Sequence, residues 1–241
     1  MDAPDRTAPR DRPERRAWLR SRTLSLPGYT VHVLHAGTTG AGTVDCYRLA
    51  GGAVFTAVTA LGSGLDARVV AAAVRTHLRA GARAVERVVS APEVGDLDTA
   101  AAVSAFTHLA QDFDYPDTVV SLLHGALDPP TGTIDYVHAD HGPAVLVHPD
   151  GTLAPLPATR PPLGPVPGPW AVQRTALVPG ARLLACSDAL LPLLGADDRG
   201  AGVAFLATHP HPQRWATALL TARERTRVHD DLVALAVHRH R

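Results

Sequence analysis

The chain has 241 residues and a mass of 25.3 kDa, with 46% apolar and 19% charged residues. That is apolar material enough for a buried core and too little charge for wholesale disorder. Its 23 basic residues, all arginine, cancel its 23 acidic ones, so there is no basic field of the kind that serves nucleic acid. No apolar run reaches the roughly 18 residues that span a bilayer, and no hydrophobic export signal opens the sequence, so no membrane partner is expected. Two cysteines, Cys46 and Cys186, exclude a disulfide framework and fit a reducing, cytoplasmic setting.

Residues 1–22 hold seven arginines, four acids and three prolines and almost nothing apolar. They read as a solvated arm ahead of one domain over 23–241. Residues 44–60 read as a hairpin around Gly51-Gly52. Residues 65–84, rich in Ala, Val, Leu and Arg, predict a helix, and 96–111 a second one capped by Asp96 or Asp98. Strands over 118–127 and 133–138 flank Pro129-Pro130-Thr131-Gly132, and strands over 144–147 and 152–156 flank Asp150-Gly151. A Pro/Gly loop over 157–169, a strand over 182–187, a helix over 211–224 and a last strand over 232–238 complete the pattern. Locally paired strands with helices in sets imply an α+β fold with antiparallel sheets.

The chemistry-bearing candidates are aspartates at strand ends. Asp45 lies in the first hairpin, Asp188 follows the apolar run 183–187, and Asp230 and Asp231 precede the last strand. Carboxylates beside buried apolar runs are costly unless something pairs with them. A hard divalent cation would do so, and so would arginines or turn backbone; spacing alone leaves both open. His138, Asp140 and His141 form a fragment of a zinc-hydrolase pattern that lacks further histidines upstream. Cys46 and Cys186 read as core residues, or as a thiol pair if the fold brings them together.

The wording around these residues resembles the metal-dependent protein phosphatases of type 2C, in the branch typified by stage II sporulation protein E. Leu177-Val178-Pro179-Gly180-Ala181-Arg182-Leu183-Leu184-Ala185-Cys186-Ser187-Asp188 is similar to the branch's Leu-x-Pro-Gly-Asp-x-Leu-Leu-x-x-Ser/Thr-Asp-Gly. Tyr136-Val137-His138-Ala139-Asp140-His141-Gly142-Pro143 resembles its Tyr-x-Asn-Ala-Gly-His-x-Pro, and Pro161-Pro162-Leu163-Gly164 its Pro-Pro-Leu-Gly loop. Gly125 to Gly132 looks like its hairpin, and Asp230-Asp231-Leu232-Val233 its Asp-Asp-x-Thr. Together the motifs span about residues 27–239, and their order is more specific than any one of them.

The resemblance implies an αββα sandwich of two antiparallel sheets flanked by helices. It implies Mn²⁺ or Mg²⁺, one or two ions, held by Asp45, Asp188 and Asp230 converging at one end, with Asp231 and His141 standing behind them. It also shows departures. Thr59 and Ala60 stand where the family has the aspartate that bridges the two metals and the residue that lends a carbonyl. Arg48 replaces an acid, Ala189 a glycine and Val233 a threonine. A threonine hydroxyl does not neutralise two dications about 4 Å apart. Three functions follow as expectations. One is a serine/threonine phosphatase with an impaired metal site, acting on a phosphorylated regulator of the partner-switching type. The second is an inactive pseudophosphatase that binds a phosphoprotein or its kinase. The third, ranked last, is an unrelated hydrolase built on the histidines.

Overall fold

A computed structural model describes residues 18–37, 39–61, 65–89, 119–158, 161–163, 171–195, 197–209, 215 and 231–241. The helix expected over 96–111, nearly all of that over 211–224, Asp230 and the first 17 residues of the arm lie outside them.

Eleven described strands build two antiparallel sheets. One sheet orders β1 (Trp18–Leu26), β2 (Tyr29–Gly37), β11 (Leu232–Arg239), β10 (Arg182–Cys186), β7 (Ala144–Val147) and β8 (Leu153–Pro155). The other orders β3 (Gly42–Leu49), β4 (Gly52–Leu61), β5 (Val119–Asp128), β6 (Thr133–Ala139) and β9 (Gln173–Ala176). Side chains alternate between the two faces of a strand, so each sheet presents one apolar set inward and one outward. The inward sets, including Val31, Val33, Cys46, Phe55, Leu123, Leu183 and Leu235, meet as the inter-sheet core.

The outward sets are covered by helices. On the second sheet lies α1 (Leu65–Val89). Its Ala67, Val70, Ala71, Val74, Leu78 and Ala82 recur at helical spacing and pack on Tyr47, Val54, Val58 and Ala60. On the first sheet lie α2 (Leu190–Leu194) and α3 (Arg199–Thr208), whose Leu190, Leu193 and Leu206 cover Leu34, Val145, Leu184 and Cys186. This is the αββα sandwich that the sequence implied. No helix among the described residues is long and apolar enough to cross a membrane.

Two expectations need correction. Trp18 to Arg22, read as part of the arm, are the first half of β1, paired residue by residue with β2. Cys46 and Cys186 cannot form a thiol pair, because one points into the inter-sheet core and the other into the layer under α2 and α3. Burial pushes the Cys46 thiol up to about 11 and the Cys186 thiol higher still, so both behave as inert core residues.

Candidate functional site

The strand registers gather one set of ends. Ala36 of β2 faces Leu232 of β11, Cys186 of β10 faces Ala234, and Ala144 of β7 faces Ala185. In the other sheet Gly42 faces Thr59, Thr59 faces Ser121, and Asp140 bridges Leu122. Asp231 joins the sheets: its carboxylate accepts N–H bonds from Thr39 at 3.0 Å and Gly42 at 2.9 Å and lies 3.4 Å from His35 Nε2. Ser187 fixes the neighbouring corner, its hydroxyl accepting from the Val233 N–H and donating to the Asp231 carbonyl. Thr59, Asp140, His141, Asp188 and Asp231 therefore share one end of the sandwich.

The crossing from β6 to β7 sits tight on that end. Asp140 has φ +50°, a left-handed conformation that aspartate tolerates, where the resembled motif has glycine. Gly142 has φ +128°, and a Cβ there would lie 2.4 Å from the Cys186 carbonyl oxygen and 2.8 Å from the Asp188 nitrogen. Gly142→Ala is therefore expected to cost about 3 kcal/mol, combining backbone strain with a clash against unyielding main chain. Urea unfolding of the variant beside wild type checks this, and a change within about 0.5 kcal/mol would contradict it.

Asp188 is held by Arg199 of α3. Arg199 Nε donates to one carboxylate oxygen at 2.9 Å and Nη2 to the other at 2.6 Å, while Nη1 donates to Asp140. The hydrogen bonds that Arg199 donates to Asp188 and then Asp140 raise the guanidinium pKa further, against the opposing effect of burial. His141 is buried, and neither ring nitrogen has a hydrogen-bond partner among the described residues. Burial above all, then the nearby His138 and Arg199, lowers its pKa to about 3, so the ring is neutral. His138 is bonded through Nδ1 to the Leu156 carbonyl at 3.1 Å.

Asp45 does not reach this end. Hairpin register sets it opposite Thr56, three residues along β3 from the Gly42–Thr59 pair, which is about 10 Å of strand. Three is odd, so it also points to the other face. Asp45 shares the outward side of Tyr47 under α1, where Arg79 holds it at 2.9 Å and Arg22 at 3.3 Å. Thr59 shares the inward parity of Phe55, and its buried hydroxyl has no partner among the described residues. Ala60 packs its methyl under α1 while its N–H donates to the Ala41 carbonyl at 2.9 Å.

The expected convergence of Asp45, Asp188 and Asp230 is therefore not seen: Asp45 is elsewhere, Asp188 is engaged by Arg199, and Asp230 is outside the described residues. No group of three His, Cys, Asp or Glu among the described residues is placed to hold a metal ion. Asp45 and Asp188, the two described members of the expected donor set, do not come together around one ion.

A second feature went unnoticed in the sequence. A cleft of about 700 Å³ opens where the edge strands β1 and β3 meet α1, lined by Arg20, Arg22, Arg75, His35, Val33 and Val44 among others. Arg20 and Arg22 face it because they share the inward side of β1, opposite His35 and Val33. Their alternation with Leu19 and Ser21 was the available signal.

The likeness to known proteins extends through both sheets. The mycobacterial structure of the RsbU and RsbW domains of a Mycobacterium tuberculosis protein matches with a TM-score of 0.60 and 22% identity, over 93% of this chain and 61% of that one. The chain thus spans about three fifths of that structure's length. The phosphatase and partial regulatory domain of SpoIIE from Bacillus subtilis matches with a TM-score of 0.65 and 14% identity, over 91% and 71%. RsbX in complex with magnesium matches with a TM-score of 0.66 and 13% identity, over 91% and 99%. At these identities the structures establish the shared fold. No curated protein matches in sequence. The model of the stage II sporulation protein E family matches residues 51–240, a stretch that runs from the β3–β4 turn through β11, and the chain belongs to that family.

Proposed function

We propose that this chain is a phosphatase-fold recognition module. It binds a regulator carrying phosphoserine or phosphothreonine, or the kinase that phosphorylates it, without two-metal hydrolysis. The observation that carries this reading is the charge at the sandwich end: a neutral Thr59 at the bridging position and an Asp188 whose two oxygens already accept from Arg199. In-line attack by a metal-activated water needs carboxylates free to hold two dications together. A partner-switching role draws support from the mycobacterial relative, which holds RsbU and RsbW domains in one protein.

The cleft between β1, β3 and α1 is the surface that fits such a partner. Arg22 is partly neutralised by Asp45, whereas Arg75 makes no ion pair among the described residues and stands over an apolar floor of Val33 and Val44. Guanidinium groups suit phosphate through paired N–H donors.

The test measures two things in the presence of Mn²⁺: phosphate release from an aryl phosphate and from a phosphoserine peptide, and binding of the same peptide by calorimetry. The expected result is binding without release, weakened about tenfold by Arg75→Glu. Turnover by wild type that disappears in Asp188→Asn would overturn the proposal in favour of an active phosphatase.

A further inference from the structure

The geometry points to Arg199 as the resident cation of the sandwich end: an internal guanidinium that permanently takes the place of a dissociable metal ion between Asp188 and Asp140. This deepens the non-catalytic reading above and rests on it, since a phosphatase would need those oxygens free.

Three observations meet. Arg199 engages both oxygens of Asp188 in the fork geometry at 2.9 and 2.6 Å, so the faces by which that carboxylate would hold a cation are filled. The same guanidinium donates to Asp140, an acid standing at the left-handed position where the resembled motif has glycine. Asp140 thus adds a negative charge beside Asp188 where the resembled motif has an uncharged glycine, and Arg199 is the group that answers it. Finally, α3 is placed to deliver the side chain. Its first residue is Arg199, and Asp198 caps the helix by accepting from the Ala201 N–H at 3.1 Å. The capped first turn of the helix thus fixes the backbone from which Arg199 extends.

The physical logic is charge balance. Two carboxylates brought to one cation repel each other, the more so the less solvent screens them. A covalently attached arginine relieves that repulsion at any metal concentration. It also lacks the vacant coordination positions that activate water. All three side chains are partly solvent-exposed, so the pair is open to competition from an added ion once the arginine is removed.

The experiment compares Mn²⁺ binding and Mn²⁺-dependent melting for wild type, Arg199→Gln, Arg199→Lys and the double variant Arg199→Gln with Asp188→Asn. Mn²⁺ itself is the probe. Arg199→Gln is expected to bind Mn²⁺ at least tenfold more tightly than wild type and to melt higher as Mn²⁺ is added. Arg199→Lys keeps the charge and is expected to stay near wild type, and the double variant is expected to lose the gain. Wild type binding Mn²⁺ as tightly as Arg199→Gln, or Arg199→Gln gaining nothing, would overturn the inference. The outcome is separable from the functional proposal: turnover by wild type defeats that proposal, whereas the inference stands or falls on the difference in Mn²⁺ affinity between the variants.

Discussion

Acidification from pH 7 to pH 5 is expected to remove about 4 kcal/mol of folding stability. The source is two fully buried histidines. Burial lowers the His124 pKa to about 4, against an opposing hydrogen bond from the ring to the Phe55 main chain, and lowers His141 to about 3. In the unfolded chain each titrates near 6.5. A base whose folded pKa is depressed binds fewer protons folded than unfolded, so stability is complete above about pH 6.5 and falls as pH drops toward the folded value. The loss amounts to about 2 kcal/mol per histidine across these two pH units. His138, lowered chiefly by burial as well, acts in the same direction. Against a total of about 5–15 kcal/mol for an ordinary domain, this is a large fraction. Urea unfolding at pH 7 and pH 5 reads it directly, and His141→Gln is expected to remove about half of the pH dependence. Equal stability of wild type at the two pH values would refute the assignment.

Much of the sandwich was legible because its hairpins are local. Turn chemistry at Gly51-Gly52, Pro129 to Gly132 and Asp150-Gly151 fixed three strand pairs to within a few residues. The first strand was hidden by its own composition. Leu24 and Leu26 face the core, but Arg20 and Arg22, on the same side, face the cleft where the two sheets part. An inward arginine breaks the apolar alternation that marks a strand. α2 and α3 were also missed: five residues of Leu and Pro and a ten-residue Ala/Gly-rich stretch carry little periodic signal.

The site divides in the same way. Motif wording picks out Asp188, Asp231 and His141, which the fold brings to one end of the sandwich. Asp45 was chosen by its neighbours in the motif, although the hairpin arithmetic was already present: a turn that pairs Leu49 with Gly52 necessarily pairs Asp45 with Thr56 and leaves Gly42 to Thr59. Arg199 lies in no motif, eleven residues beyond Asp188, and only the docking of α3 brings it there. Long-range ion pairs of that kind leave no periodic trace in a sequence.

Replacing Asp231 with alanine is expected to cost about 4 kcal/mol, the largest single-residue effect among the groups described. Its side chain is wholly buried and is the acceptor for two main-chain N–H groups of the β2–β3 connection, besides its contact with His35. Removing it strips the buried Gly42 donor and the part-buried Thr39 donor of this acceptor, at about 1–3 kcal/mol each. The surroundings are shaped to this carboxylate. A Cβ on Gly37 would fall 1.9 Å from its Oδ1, and one on Gly42 would fall 2.8 Å from its Cβ. Asparagine fits the space but turns an N–H₂ group toward a backbone donor, so Asp231→Asn is expected to cost about 3 kcal/mol. Burial alone would raise the Asp231 pKa, but the hydrogen bonds from His35, Gly42 and Thr39 outweigh it and hold the carboxyl well below the usual range. A depressed carboxylate contributes stability above its unfolded value near 3.9, lost only as pH falls further. The asparagine penalty should therefore be constant from pH 7 to pH 5, where the histidines act, and shrink below about pH 4. Urea titrations of wild type and both variants at pH 7, 5 and 3.5 separate the two effects. A penalty under about 1 kcal/mol at pH 7 would show that the β2–β3 connection does not depend on this carboxylate.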